Sequence, residues 1–403
     1  MLIEIVRRLR KMKVLILPPS DYLGHPNPCR LHHIFEQFPD FGDEIFVMRF
    51  SIQDKIARKS KGTVFAIGDT PCNSLSKYYL MNSGVFAKSA KQIIKEHGID
   101  TVIFANLFPP YLVSRAIPSE LLTVVDLVDH YPTVAAENTP EIIPKRLVNY
   151  TFSKMMRHVV SSSDATVACS YKLADYAKYL GAPRVYRIPN GVEDYFFRDY
   201  KQDADNIRQK LGILNTDISI CFVGNVEYWL SMGDFLEGLY LAKKKTTKRI
   251  KFYIVGGKLT TNYFGRIESK IRELDLGENV IQVGFVPHSD VPKYIAAADL
   301  CVSPKNPQDP VSYYSSPVKV WEYLAQGKPV ISTAVPEIIC CATDCVSVAE
   351  TSEDYFNYIM SFLNDPNPFL EKAQKGRLMI QNYTWQKVAR SYRNLLSELH
   401  RNS

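Results

Sequence analysis

The stretch SSPVKVWEYLAQGKPVIST, residues 315–333, sets one lysine and one glutamate on an otherwise apolar helix. Lys319 falls in the first turn and Glu322 three residues later, so the two share a face. Pro317 suits the first turn, where its missing N–H costs nothing. Val318, Trp321, Tyr323, Leu324 and Ala325 make a mostly buried helix. Gly327 suits the C-terminal cap, Pro329 follows it, and PVIST reads as a core strand. Two chemistries fit this spacing. One is an ion pair on the surface of a core helix. The other is an anion site, in which the unpaired N–H groups of a helix N-terminus stand beside a cation and a carboxylate. The stretch by itself leaves both open.

Other polar groups gather where apolar runs end. VVDLVDHYPTVAAEN (124–138) carries Asp126, Asp129, His130 and Tyr131 at the close of a strand. It reads either as a solvated turn with a helix cap or as the wall of a polar pocket. The loop PPSDYLGHPNPCRLHH (18–33) offers Gly24, His25, Arg30, His32 and His33, each of which fits a structural role as readily as a ligand contact. Gly224, Gly256, Gly257 and Gly284 stand at strand-to-loop junctions, where backbone can approach a bound molecule closely. The eight cysteines form no C-x-x-C pair and read as reduced thiols of core and loops.

The elements that must position these groups follow one pattern. KVLIL (13–17), EIFVM (44–48), GTVFAIG (62–68), DTVIFAN (100–106), LTVVDLV (122–128), SDATVACS (163–170) and VYRIPNGV (185–192) read as short strands. Helices fall between several of them, such as VFAKSAKQIIKEHG (85–98). The second half repeats the pattern with ISICFVGNV (218–226), IKFYIVGGK (250–258), NVIQVGFVP (279–287), ADLCVSP (298–304), KPVIST (328–333) and CVSVAE (345–350). Continuous apolar strands alternating with helices predict parallel sheets covered on both faces. Two doubly wound α/β units are therefore expected in tandem, joined near residues 193–205. Ligands of such sheets bind at the carboxyl ends of strands, so the cleft between facing units is the expected active site.

Composition narrows the function. The 403 residues are 46% hydrophobic and 23% charged, an ordinary globular balance. No apolar run reaches the ~18 residues of a membrane span. The start, MLIEIVRRLRKMKVLIL, has charges where a signal peptide needs an apolar core, so a cytoplasmic protein is expected. The net charge of +7 is too mild for a dedicated nucleic-acid binder. It is uneven: residues 1–200 hold 25 Lys and Arg against 20 Asp and Glu. That excess fits an anionic substrate or an anionic membrane surface.

These motifs, in this order, resemble the GT-B-fold glycosyltransferases of retaining family 4 (glycosyl transferases group 1). SSPVKVWEYLAQGKPVIST is similar to that family's donor-site helix. VSSSDATVACSYKLADYAKYLGAPRVYRIPNGVEDYFF (160–197) is similar to its crossing into the second domain. ISICFVGNVEYW, FYIVGGK and NVIQVGFVPHSDVPKYIAAADLCVSP are similar to its C-terminal Rossmann unit. The resemblance implies an acceptor-binding Rossmann-like domain over 1–195, a donor-binding one over 196–375, and a C-terminal helical segment over 376–403. It implies transfer of a sugar, with retention, from a nucleotide-diphosphate sugar to a glycan acceptor, free or lipid-linked. UDP is favoured over GDP as the carrier.

The roles it implies are these. Ser316, Pro317 and Val318 bring a helix N-terminus to the diphosphate, and Lys319 adds charge that matters most as the leaving group departs. Glu322 accepts from the ribose hydroxyls. Gly224, Asn225, Gly256, Lys258, Phe285 and Val286 complete the donor site. Asp129 and His130 lie near the anomeric carbon, and Gly24, His25, Arg30, Asp126 and Tyr131 line the acceptor side. No cofactor and no metal is required, because helix dipole and lysine meet the diphosphate charge and the departing diphosphate takes the acceptor's proton. Two departures stand out. Tyr314 occupies the place of the first glutamate of the family's E-x7-E pattern, which leaves the sugar open. The loop GNVEYWLSMGD lacks the basic pair many members carry there. An adaptor that has lost catalysis fits these departures as well, and an epimerase of the same fold is a further alternative. A dehydrogenase does not, since neither FVGNVEYW nor IVGGKLTT has the G-x-G-x-x-G it would need. The basic, aromatic segment IPKRLVNYTFSKMMRHVV (143–160) reads either as a solvated helix face or as a patch that docks on the inner face of a membrane.

Overall fold

The structure is a computed structural model and describes residues 11–25, 28–49, 56–68, 75–137, 139, 143–257 and 263–402. The chain forms two compact units, one made of residues up to Asn190 together with Trp385 onward, the other of Gly191–Thr384. Each is a parallel α/β sheet of Rossmann type.

The first unit holds β1 (Lys13–Leu17), β2 (Glu44–Arg49), β3 (Thr63–Ala66), β4 (Thr101–Phe104), β5 (Leu122–Leu127), β6 (Ala165–Ala168) and β7 (Val185–Arg187). Their order in the sheet is β3-β2-β1-β4-β5-β6-β7, with every pairing parallel. β1, β4 and β6 are buried on both faces, as their unbroken apolar runs require. The sheet reverses its winding between β1 and β4, where Leu15 pairs with Val102. The loops that leave those two strands therefore diverge and open a crevice at their carboxyl ends.

The helix Trp385–Arg401 completes this unit although 194 residues of the second intervene. Trp385, Val388, Ala389, Tyr392, Leu395, Leu396 and Leu399 recur at helical spacing and enter one core with Leu31, Ile34 and Phe35. Trp385 stacks on His33 with ring centroids 4.4 Å apart. Arg393 donates through Nε to Asp43 Oδ2 at 2.6 Å, a pair whose side chains are 5% and 0% exposed.

The second unit holds β8 (Ile218–Val223), β9 (Ile250–Val255), β10 (Val280–Gly284), β11 (Leu300–Ser303), β12 (Val330–Ser332) and β13 (Ser347–Val348). Their order, β10-β9-β8-β11-β12-β13, repeats the winding of the first unit, with the reversal between β8 and β11. The sheet is covered on both faces. One core gathers Val223, Val255, Trp321 and Leu324, the other Phe222, Phe235, Leu239 and Tyr355. β1 matches its expected run and β2 runs one residue past it, while the remaining strands are shorter than the runs that announce them, mostly because the last residues of each run turn into the loops at the carboxyl edge.

Candidate functional site

In the second unit the helix Val318–Ala325 packs against β11 and β12 and reaches the carboxyl end of β8. Val320, Trp321, Tyr323, Leu324 and Ala325 are buried, while Val318 is only partly so. Tyr323 fixes the helix to the sheet: its hydroxyl accepts from Val223 N at 2.8 Å, at the last residue of β8. One residue further on, Gly224 adopts φ +124°, and a Cβ there would lie 2.2 Å from Lys319 Nζ and 2.3 Å from Cε. The end of the lysine thus lies against the glycine, and a side chain at 224 would be strained at this φ and would displace the lysine head. Nζ also stands 4.9 Å from the centre of the Phe222 ring. Gly224 N donates to Val255 O at 2.7 Å, and Gly256 N to Gly284 O at 2.8 Å, so the strand ends are stepped together behind the lysine.

Lys319 is a cation in an adverse place. It occupies the first turn of a helix, where the dipole disfavours positive charge. Burial lowers its pKa to about 8, an effect the Glu322 carboxylate only partly opposes. No carboxylate lies within salt-bridge distance of it among the described residues. Two buried hydroxyls at the same end of the sheet, Ser316 Oγ and Thr333 Oγ1, have no hydrogen-bond partner among the described residues. A second lysine, which no local spacing marks out, is Lys305, two residues past the end of β11, and it donates to Ser315 Oγ. The positive end of the helix dipole, two orphan hydroxyls and a destabilised ammonium thus lie at one edge of this sheet, while Val318 N and Val320 N already donate to Ser316 O and Pro317 O. An anion there would be favoured by the dipole and the ammonium and could accept from the hydroxyls. The alternative of a Lys319–Glu322 surface ion pair does not describe this geometry.

Glu322 is 7% exposed at its side chain and is held from the other side. His288 Nε2 stands 3.0 Å from Glu322 Oε1, and Tyr195 Oη stands 2.7 Å from His288 Nδ1. Burial alone would lower the pKa of His288, but the hydrogen bond and charge of Glu322, with the charge of Glu193, outweigh it and raise the pKa. Neither His288 nor Tyr195 was singled out from the sequence. Phe285 is 70% exposed in the loop that leaves β10, while Val286 and Asn225 are partly buried. Lys258 lies outside the described residues.

The first unit brings Asp129, His130 and Tyr131 together just past the end of β5. Asp129 is exposed. His130 Nδ1 is 2.7 Å from Thr133 Oγ1 and its ring packs 4.5 Å from that of Tyr176. Burial lowers its pKa to about 4, so the imidazole is neutral at physiological pH. Tyr131 donates to Ala105 O at 2.8 Å, linking this turn to the exit of β4. Gly24 is partly buried and His25 is exposed in the loop after β1. Arg30 and Asp126, expected on the acceptor side, are instead turned into the interior. Arg30 Nε donates to Asp126 Oδ1 at 3.1 Å, and its remaining nitrogens donate to Ile188 O at 2.7 Å, Pro189 O at 2.8 Å and Asn190 Oδ1 at 3.0 Å. With side chains 5% and 0% exposed, the pair consumes its own polar capacity and presents little to a ligand.

Comparison with known proteins supplies the family. Residues 30–195 match Glycosyltransferase Family 4, and residues 217–365 match Glycosyl transferases group 1. Together these segments take in more than three quarters of the chain. Over 197 residues the chain is 28% identical to TuaH of Bacillus subtilis (strain 168), named as a teichuronic acid biosynthesis glycosyltransferase. That alignment covers 46% of this chain and 46% of TuaH, so it spans about half the length of that relative. Among solved structures, sucrose-phosphate synthase of Thermosynechococcus elongatus is similar with a TM-score of 0.76 at 17% identity, covering 98% of this chain and 100% of that one. Anabaena HepE (Alr3699), solved with UDP and glucose, is similar with a TM-score of 0.72 at 18% identity, covering 96% of this chain and 99% of that one. Two Rossmann-type units of GT-B kind, with these sequence matches in both, show that the chain belongs to the family 4 glycosyltransferases, group 1.

Proposed function

We propose that this chain is a retaining hexosyltransferase that moves a sugar from a UDP-sugar to a glycan acceptor in the synthesis of a cell-surface polysaccharide. The observation that carries the donor half is the surroundings of Lys319, where a cation, a helix N-terminus and two hydroxyls without a partner among the described residues would suit an anion of high charge. A diphosphate suits it. Lys319 would stabilise the charge that grows on the leaving oxygen, and that interaction strengthens in the transition state. Glu322 would accept from the ribose hydroxyls, and the exposed Phe285 would lie under the base. UDP is favoured over GDP because solved forms of HepE hold UDP and UDP-glucose. The name of TuaH supports a cell-envelope polysaccharide as the product.

Asp129 and His130 would serve the acceptor side, with His130 neutral and able to accept or donate one hydrogen bond at each ring nitrogen. No enzyme nucleophile is needed if the departing diphosphate takes the acceptor's proton. A lipid-linked acceptor at an anionic membrane surface is supported by the helix Lys145–Ser162. Leu147 and Tyr150 on it are exposed, Lys154 Nζ lies 4.6 Å over the Tyr150 ring, and Arg157 stacks over the exposed Tyr179. The basic residues Arg7, Arg8 and Arg10 lie outside the described residues. No described helix is long and apolar enough to cross a membrane.

The test is a thermal-shift panel of UDP, GDP and ADP followed by transfer assays with the corresponding sugars. UDP at ~100 times its Kd should add roughly 2.7 kcal/mol of stability. Anomeric configuration of the product, read by NMR, decides retention. Absence of any nucleotide effect on stability would remove the donor half.

A further inference from the structure

Glu322 could hold a ligand only if its own carboxylate is held, and the structure shows what holds it. An ionised carboxylate only accepts, so His288 Nε2 must carry the proton of the 3.0 Å contact to Oε1. In the neutral ring His288 Nδ1 accepts from the Tyr195 hydroxyl at 2.7 Å, and in the protonated ring it donates to it; Nε2 faces Glu322 as a donor in both. The tyrosine holds the ring in the orientation that keeps the Nε2 donor on Glu322. The imidazole is confined as well. The buried Phe196 ring lies 5.4 Å from it, and Gln326, at the end of the Glu322 helix, donates to Phe196 O and to Arg198 O. Helix and Tyr195 segment are thus fastened to each other, with His288 bridging them. Glu322 Oε2 has no partner among the described residues, which leaves it available to a ligand hydroxyl.

We infer that His288, oriented by Tyr195, is a positioning residue that locks the Glu322 carboxylate for the vicinal hydroxyls of a nucleoside diphosphate. This rests on the donor reading above and adds to it a residue pair from two distant loops. Without His288, the carboxylate would lose its fixed rotamer and would have to be ordered by the ligand itself. The loss should therefore fall on ribose recognition, while the diphosphate contacts at Lys319 remain.

The experiment measures, by titration calorimetry, the affinities of UDP, GDP and their 2′,3′-dideoxy forms for the wild-type chain and for His288→Ala, His288→Gln and Tyr195→Phe. The readout is the ratio of ribose to dideoxy affinity on one and the same protein, which does not depend on how much of a variant is folded. Wild type should prefer the ribose form by about tenfold or more, as two hydrogen bonds to a charged group allow. His288→Ala should bring the ratio near one. His288→Gln, whose amide N–H can replace the imidazole donor, should restore most of it, and Tyr195→Phe should fall between. A His288→Ala ratio within twofold of wild type overturns the inference. Wild-type binding of UDP with no ribose preference overturns it too, yet leaves the diphosphate site standing. Binding of neither nucleotide by the wild type removes both.

Discussion

Burial lowers the pKa of Lys319 to about 8, so the free enzyme loses this charge progressively as pH rises through that value. Arrival of a diphosphate favours the charged form and raises the pKa in the complex. The donor kcat/KM, which reports groups of the free enzyme, should therefore fall as pH rises through about 8, while kcat holds to higher pH. Coincident profiles for the two constants would contradict this. Lys319→Ala should lower kcat by about 100-fold or more with a smaller change in donor affinity. Unchanged turnover would remove its role. His130 sits at the other extreme: held neutral down to pH of about 4, it should add no ionisation to the profile at physiological pH. His130→Ala and Asp129→Ala should depress transfer while UDP affinity, by calorimetry, stays as in wild type. A matching loss of nucleotide affinity would move this turn to the donor phosphates.

At the level of elements, buried ion pairs set how the first unit is fastened. Asp43 accepts from Arg393 and from Met12 N at 3.0 Å, so it joins the last helix to β1 and to the start of β2. Arg393→Ala leaves that carboxylate buried and unpaired, and should cost about 3–5 kcal/mol in denaturant unfolding. A cost below about 1 kcal/mol would mean the helix is held by its apolar face alone. The same physics explains what was legible in the sequence. Lys319 and Glu322 stand three apart on one helix, and Gly224 and Gly256 end apolar strands, so local spacing reveals them. The Glu322–His288 contact joins positions 34 apart and Tyr195 a further 93 from His288, and no periodicity encodes such a meeting. Arg30 and Asp126 misled for a related reason. β5 is buried on almost its whole length, so alternation cannot say whether its one aspartate faces a pocket or a partner in the core.

At the scale of the whole molecule, charge is spread unevenly, with most of the excess in the first 200 residues. Each basic residue near an anionic bilayer contributes about 1 kcal/mol, enough in a group of three or four for weak docking that salt reverses. The protein should sediment with anionic liposomes at low salt and be released at high salt. Replacing Lys145, Arg146, Lys154 and Arg157 by Glu should abolish sedimentation without touching UDP affinity. Wild-type protein that ignores such liposomes points to a soluble acceptor. The return of Trp385–Arg401 to the first unit has a consequence for how the chain comes to exist. On a ribosome the second unit is complete once Thr384 has emerged. The first, although begun earlier, waits with Leu31, Ile34 and Phe35 uncovered until the final helix is out. Translation order and folding order are thus reversed for the two halves. A nascent chain stalled before residue 385 should expose its N-terminal half to protease and to chaperones, while its later half already resists both.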